Sequence, residues 1–161
     1  MRMKRGQRII FLTVVVQWAI LSKVLSQSHW ETAIYAEDTW YYFVGITAPP
    51  VNWNNLDFDE NNWSSGQGGF GYADGDDNTT IPNTLAVFFR KSFQIDGLDG
   101  ILSAAVHGDY DDGFVAYLNG VEVARSFNMG TPGTAVPYDQ TTEGDHEAVM
   151  YQGGVPDVFI L

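Results

Sequence analysis

Two stretches of this 161-residue chain carry residue types that hold a hard cation. Asp74, Asp76 and Asn78 stand at alternate positions of one loop, the spacing that opens a helix–loop–helix calcium site. The rest of that pattern is missing: Thr79 stands where a glycine is needed, and Leu85 where a bidentate glutamate belongs. An irregular Asp-rich loop can still bind Ca2+ through carboxylates and main-chain carbonyls, and Asp109, Asp111 and Asp112 form a second such group. For both, the competing reading is an Asp/Gly turn whose side chains cap their own backbone. A second kind of chemistry is sugar recognition, in which flat aromatic faces meet apolar C–H surfaces while Asp, Asn and Arg bond the hydroxyls. Trp53, Trp63, Tyr72 and Tyr110 lie in or beside loops rich in Asn and Asp and suit that role, although tryptophan in a cysteine-free sandwich is also core material. Arg125 either pairs with a nearby aspartate or contacts a ligand.

Several catalytic readings fail on their own requirements. Residues 66–71 match G-x-G-x-x-G, but Asp74, Asp76, Asp77 and Pro82 follow where a dinucleotide site needs a helix N-terminus. Paired carboxylates could hydrolyse glycosides, yet every acidic cluster falls in a predicted turn. His29, His107 and His146 are isolated, without metal-helix spacing or a nucleophile elbow, and the absence of cysteine excludes a thiol nucleophile. The expectation is a protein that is not an enzyme.

The elements that must position these residues are strands. After residue 26 helical periodicity is nearly absent, and short apolar runs alternate with clusters of Gly, Asn, Asp and Pro. Residues 40–44 read as a first strand, 47–53 as a loop, 58–63 as a tight turn and 63–84 as a long Gly/Asp/Asn-rich excursion. A strand is predicted over 87–95, with Phe89, Phe93 and Ile95 on one face and Arg90, Ser92 and Gln94 on the other. Leu102, Ala104 and Val106 suggest another inward face. The strongest local signal lies at 114–125, where two β-rich runs are separated only by Asn119-Gly120. Both central residues of a type I′ turn need positive φ, which Asn-Gly supplies at low cost.

Residues 1–26 are of another kind. Arg2, Lys4, Arg5 and Arg8 precede an apolar run from Ile9 to Leu21, and Val24 and Ser26 suit a signal-peptidase site before Gln27. The run is shorter than the roughly 20 residues of a spanning helix, so the segment is expected to be a cleaved signal peptide and the remainder secreted or displayed at the cell surface. That remainder holds three of the eight Lys and Arg residues and all 20 acids, a formal charge of −17. Such a body repels phosphate backbones and anionic lipid, so neither nucleic acid nor, after cleavage, a membrane is an expected partner.

Taken in order, the fragments form a series: Trp40, Trp53, Phe58-Asp59, Trp63 and Gly66, then 71–76, 89–93 and the long run 111–125. This series resembles the galactose-binding-domain-like jelly-roll module of large secreted bacterial proteins, which often sits beside lamin-tail or spore-coat-kinase-like domains. The resemblance covers roughly residues 38–161, with Ala73 where such modules usually carry glycine. It implies an all-β antiparallel sandwich of jelly-roll type over 27–161, often with one structural calcium. Such modules usually close on a further strand that has no counterpart here, and the chain ends on Phe159-Ile160-Leu161. The expectation is therefore a C-terminally truncated module, with its final strand and downstream domains missing. The resemblance implies a non-catalytic accessory module for a polysaccharide or cell-surface glycan, or alternatively a structural or adhesion spacer without a small-molecule site.

Overall fold

The computed structural model describes residues 28–72 and 75–161. The expected signal peptide and Asp74 lie outside the described residues. Thr32–Leu161 forms one unit. Its described residues form nine strands: β1 (Thr39–Val44), β2 (Ser64–Gln67), β3 (Phe70–Gly71), β4 (Thr79–Thr80), β5 (Val87–Arg90), β6 (Ala105–Gly108), β7 (Val115–Leu118), β8 (Val121–Arg125) and β9 (Asp157–Ile160). A single 3-10 turn, Met150–Gln152, precedes β9. The all-β class expected from the sequence is the one observed, and every pairing is antiparallel except the short β3–β4 ladder.

The aromatic content of β1 and β5 explains the central sheet. β1 lies between β2 and β5, with Phe43 opposite Phe88 and Tyr42 opposite Phe89. Because side chains alternate across a strand, the first pair faces one side and the second pair the other. On the Phe43/Phe88 side the rings meet Trp63 and Trp53, with Phe43–Trp63 at 5.5 Å and Trp53–Phe88 at 5.0 Å between centroids. On the opposite side Phe70 touches both Tyr42 (5.3 Å) and Phe89 (4.6 Å). Offset and edge-on ring pairs of this kind add about 0.5–1.5 kcal/mol each beyond simple burial.

Two expected strands are shorter than their patterns. Pairing of β5 stops at Arg90, where the Lys91 ammonium turns to the Thr39 carbonyl (3.1 Å) and the Asp38 carboxylate (3.5 Å). Phe93 and Ile95 therefore lie outside the ladder and are exposed. Leu102 is also exposed, because β6 begins only at Ala105 and Val106 alone of that triplet belongs to it. The final apolar run forms β9 on β6, with Val106 opposite Phe159 and the Phe159 ring edge-on to Phe114 at 5.0 Å.

The most enclosed side chains are polar. Asn128 donates to the carbonyls of Asp112 (3.0 Å) and Gly144 (2.6 Å) and accepts from Ser126 Oγ (2.9 Å). Its own carbonyl accepts the Glu143 N–H at 2.8 Å. A buried amide satisfied on both its oxygen and its nitrogen specifies one arrangement of the chain around it. Here it ties the long 126–149 region to the approach of β7.

Candidate functional site

The site is organised by the β7–β8 hairpin. Asn119 (φ 51°) and Gly120 (φ 82°) both adopt the left-handed conformation that the Asn-Gly pair predicts. A one-residue bulge in β8 shifts the ladder, so that Ala116 faces Ala124 while Tyr117 faces Glu122. Beside it, Arg125 makes a closed lock. Its Nε donates to Glu122 Oε1 (2.9 Å) and its Nη2 to Glu122 Oε2 (2.8 Å). Nη1 donates to the Met129 carbonyl (2.6 Å), and Nη2 also donates to the Thr134 carbonyl (2.7 Å). Gly133 N–H adds a third donor to Glu122 at 3.0 Å. The Arg125 side chain is only 2% exposed. These N–H groups hold the Glu122 carboxyl below the usual glutamate range against the opposing effect of its burial, whereas burial and then the Glu122 charge push the Tyr117 phenol up. Arg125 thus pairs structurally, with a glutamate rather than an aspartate.

A second arginine positions the loop that carries Trp53. Arg90 Nη1 donates to the Trp53 carbonyl and, at 3.0 Å, to that of Asn55. Its Nε lies 3.4 Å from Glu60 Oε2, close enough for charge attraction but without hydrogen-bond geometry. The guanidinium also sits 5.0 Å from the centre of the Phe58 ring. Clamped in this way, the loop brings Trp53 edge-on to Tyr117 at 5.7 Å. It also brings Asn55 to the hairpin tip, where its Oδ1 would stand 3.3 Å from a Cβ placed on Gly120. Next to this junction is a shallow groove of about 360 Å3, lined by Tyr117, Gly120, Glu122, Gly133, Thr134 and Ala135.

The structure brings together some of the expected ligand-binding residues. Trp53 and Trp63 stack at 6.4 Å and 24°, both half-buried, and Arg125 is one hairpin strand away from Tyr117. Tyr72 is exposed, and among the described residues no ring contact joins it to the tryptophans. Tyr110 belongs to a different cluster, stacked on His146 at 4.1 Å and against Phe114 at 4.8 Å. Its hydroxyl donates to Asp157 Oδ2 (2.9 Å), and burial, followed by that bond and the Asp157 charge, pushes its pKa up to about 12.

The acidic residues divide similarly. Asp109 accepts the N–H groups of Val149 (2.8 Å) and Met150 (3.1 Å), and Asp112 Oδ1 accepts that of His146 (3.1 Å). These two carboxylates close the 139–150 loop; Asp111 meets Asp112 side chain to side chain, but Asp109, Asp111 and Asp112 are not grouped as a metal site. Burial, then repulsion from Asp112 and Glu147, raises the Asp111 carboxyl above its usual range. In the other loop, Asp76 is exposed, and the Asn78 amide nitrogen donates to the Gly68 carbonyl (2.7 Å). Among the described residues, no three His, Asp or Glu side chains are grouped as a metal site.

Compared with protein-family models, curated proteins and solved structures, the chain matches none of them. The resemblance to galactose-binding-like modules therefore rests on the ordered motifs alone. Sequence reasoning missed Glu122, Arg90 and Tyr117 as positioning residues. Only Arg90 carried a visible signal, its scarcity: with three cations after residue 26, each was a candidate for a structural duty, whereas nothing local marked Glu122 or Tyr117.

Proposed function

We propose that this chain is a non-catalytic, exported accessory module of jelly-roll type that binds carbohydrate. The observation that carries this reading is the junction of the Arg90-clamped loop with the hairpin. It sets the Tyr117 ring, held edge-on by Trp53, and an ordered Glu122 carboxylate along one groove, with Asn55 at the hairpin tip. An apolar face with a few fixed polar groups is the arrangement that saccharide recognition requires. Export rests on the N-terminal signal pattern, and absence of catalysis on the lack of any nucleophile or acid–base constellation in the sequence. Calcium stabilisation is retained as part of the proposal at Asp74, Asp76 and Asn78, where three oxygen-bearing side chains share one loop.

A second reading, a structural or adhesion spacer, is favoured by a different observation. Trp53 and Trp63 are already engaged by each other and by Phe43, Phe58, Phe88 and Tyr117, which is core duty.

Thermal melts of the full chain with a panel of soluble polysaccharides, with and without millimolar calcium, separate the two. A ligand of the native state at 100 times its Kd adds about 2.7 kcal/mol, a rise of roughly 8–11 °C for a domain of this size. A polysaccharide-dependent rise supports the binding module. A calcium-dependent rise that disappears in Asp76→Ala supports the ion site. A cooperative melt unmoved by every addition removes both and leaves the spacer.

A further inference from the structure

Resting on the carbohydrate-binding reading, we infer that the groove beside the hairpin tip is the sugar subsite and that it selects neutral over anionic saccharides. Three features make it a place for a sugar ring. Tyr117 supplies an aromatic wall that Trp53 holds edge-on, so the ring is fixed before any ligand arrives. Glu122 supplies an oriented acceptor: Oε2 takes two N–H donors and Oε1 one, and a carboxylate offers about four acceptor positions. One position on Oε1 thus remains for a hydroxyl. Gly133 lines the groove without a side chain to narrow it. The volume, about 360 Å3, is near the lower end of the roughly 300–1,000 Å3 of small-ligand sites, which suits a short saccharide or one end of a chain.

The charge distribution sets the selectivity. Arg125, the cation beside the groove, has its donors taken by Glu122, Met129 and Thr134. Arg90 is committed to the 53–60 loop, and Lys91 to Asp38 and Thr39. The ionised groove residue is Glu122, and the chain after residue 26 carries a formal charge of −17. A uronate, sulfate or phosphate group would enter against that field, and among the described residues each of the three cations is already committed elsewhere. A sugar hydroxyl instead donates to the carboxylate and meets no repulsion.

The test is residue-resolved NMR titration of the full chain with cellobiose, maltose, lactose and digalacturonate, with affinities taken from the same shifts. Two substitutions obstruct the groove without deleting a lock hydrogen bond. Ala135→Trp fills it from an exposed position. Gly133→Asn adds an amide at a lining residue, on a left-handed backbone (φ 79°) that asparagine tolerates. The expected result is that at least one neutral disaccharide shifts Tyr117, Glu122 and Gly133. Each obstruction then weakens binding at least tenfold while the melting temperature stays within about 2 °C, and digalacturonate binds at least tenfold more weakly. If either variant fails to fold, the other decides. Neutral-sugar shifts that map elsewhere and survive both obstructions overturn the groove assignment but leave the carbohydrate reading standing. Equal binding of digalacturonate overturns the selectivity. Absence of shifts with every sugar at millimolar concentration overturns the groove and the carbohydrate reading together.

Discussion

Replacing Arg125 with methionine tests the lock at its centre. The substitution keeps most of the apolar stem but strips Glu122 of two N–H donors and leaves the Met129 and Thr134 carbonyls without their partner. Removing one member of a fully buried ion pair costs about 3–5 kcal/mol. The Glu122 side chain is 16% exposed, so water recovers part of that loss, and we expect about 2–3 kcal/mol. For a domain of this size the melting temperature should fall by roughly 6–12 °C. Urea unfolding at pH 7 measures the free energy directly. The double variant Arg125→Met/Glu122→Gln should recover about 1–2 kcal/mol, because no uncompensated carboxylate then remains. The pH dependence is a further constraint. Arg125 depresses the folded-state pKa of Glu122, so the associated stability is present above the ordinary glutamate value of about 4.3. It is lost as pH falls through the lower folded value. The gap between wild type and Arg125→Met should therefore be full at pH 7 and narrow below about pH 4. A single-variant loss under about 0.5 kcal/mol, or a gap unchanged between pH 7 and pH 3, would refute the lock.

Three further outcomes are expected. Gly120→Ala should destabilise by about 1–2 kcal/mol in the same urea assay, since the φ of 82° is strained for alanine and the new Cβ would crowd Asn55. Arg90→Met should release the 53–60 loop, costing about 2 kcal/mol and red-shifting tryptophan fluorescence as water reaches Trp53; an unchanged emission maximum would count against the clamp. Asp111→Asn should stabilise at pH 7. Its folded carboxyl pKa is raised by burial and by Asp112 and Glu147, so ionisation opposes folding as pH rises above the ordinary aspartate value of about 3.9. At this largely solvated site the gain is about 1–2 °C. It should shrink in high salt and disappear near pH 3, as melts across pH and salt will show.

What was legible in the sequence was local. The Asn119-Gly120 turn and its two strands could be read apart from the β8 bulge, because the positive φ values and the alternation are properties of adjacent residues. The all-β class followed likewise from short apolar runs between Gly, Asn, Asp and Pro clusters. The two strands drawn too long, 87–95 and the 102–106 face, show where local reasoning stops. Phe93, Ile95 and Leu102 have strand-like alternation, but a strand exists only where a neighbour offers its backbone: the β1–β5 ladder ends at Arg90, and the last bond beside β6 is from the Leu161 N–H to the Ala104 carbonyl (2.9 Å), short of Leu102.

The site itself was decided by long-range contacts. Arg90 reaches back 35 residues to Asn55, and Asn128 bonds carbonyls 16 residues away on either side. Nothing in the composition of 50–57 or 114–125 announces that Trp53 will meet Tyr117. The sequence by itself determined the all-β class, the hairpin turn, the acidic balance and the shortage of cations, but not the short strands β2, β3 and β4 inside the stretch 63–84 that reads as a loop. Only the tertiary structure decided which loop each cation holds, and hence where aromatic wall, amide and carboxylate meet. The physical reason is that turn geometry and strand alternation depend on neighbouring residues, whereas a buried guanidinium is set by whichever distant carbonyls and carboxylates the fold leaves without another donor.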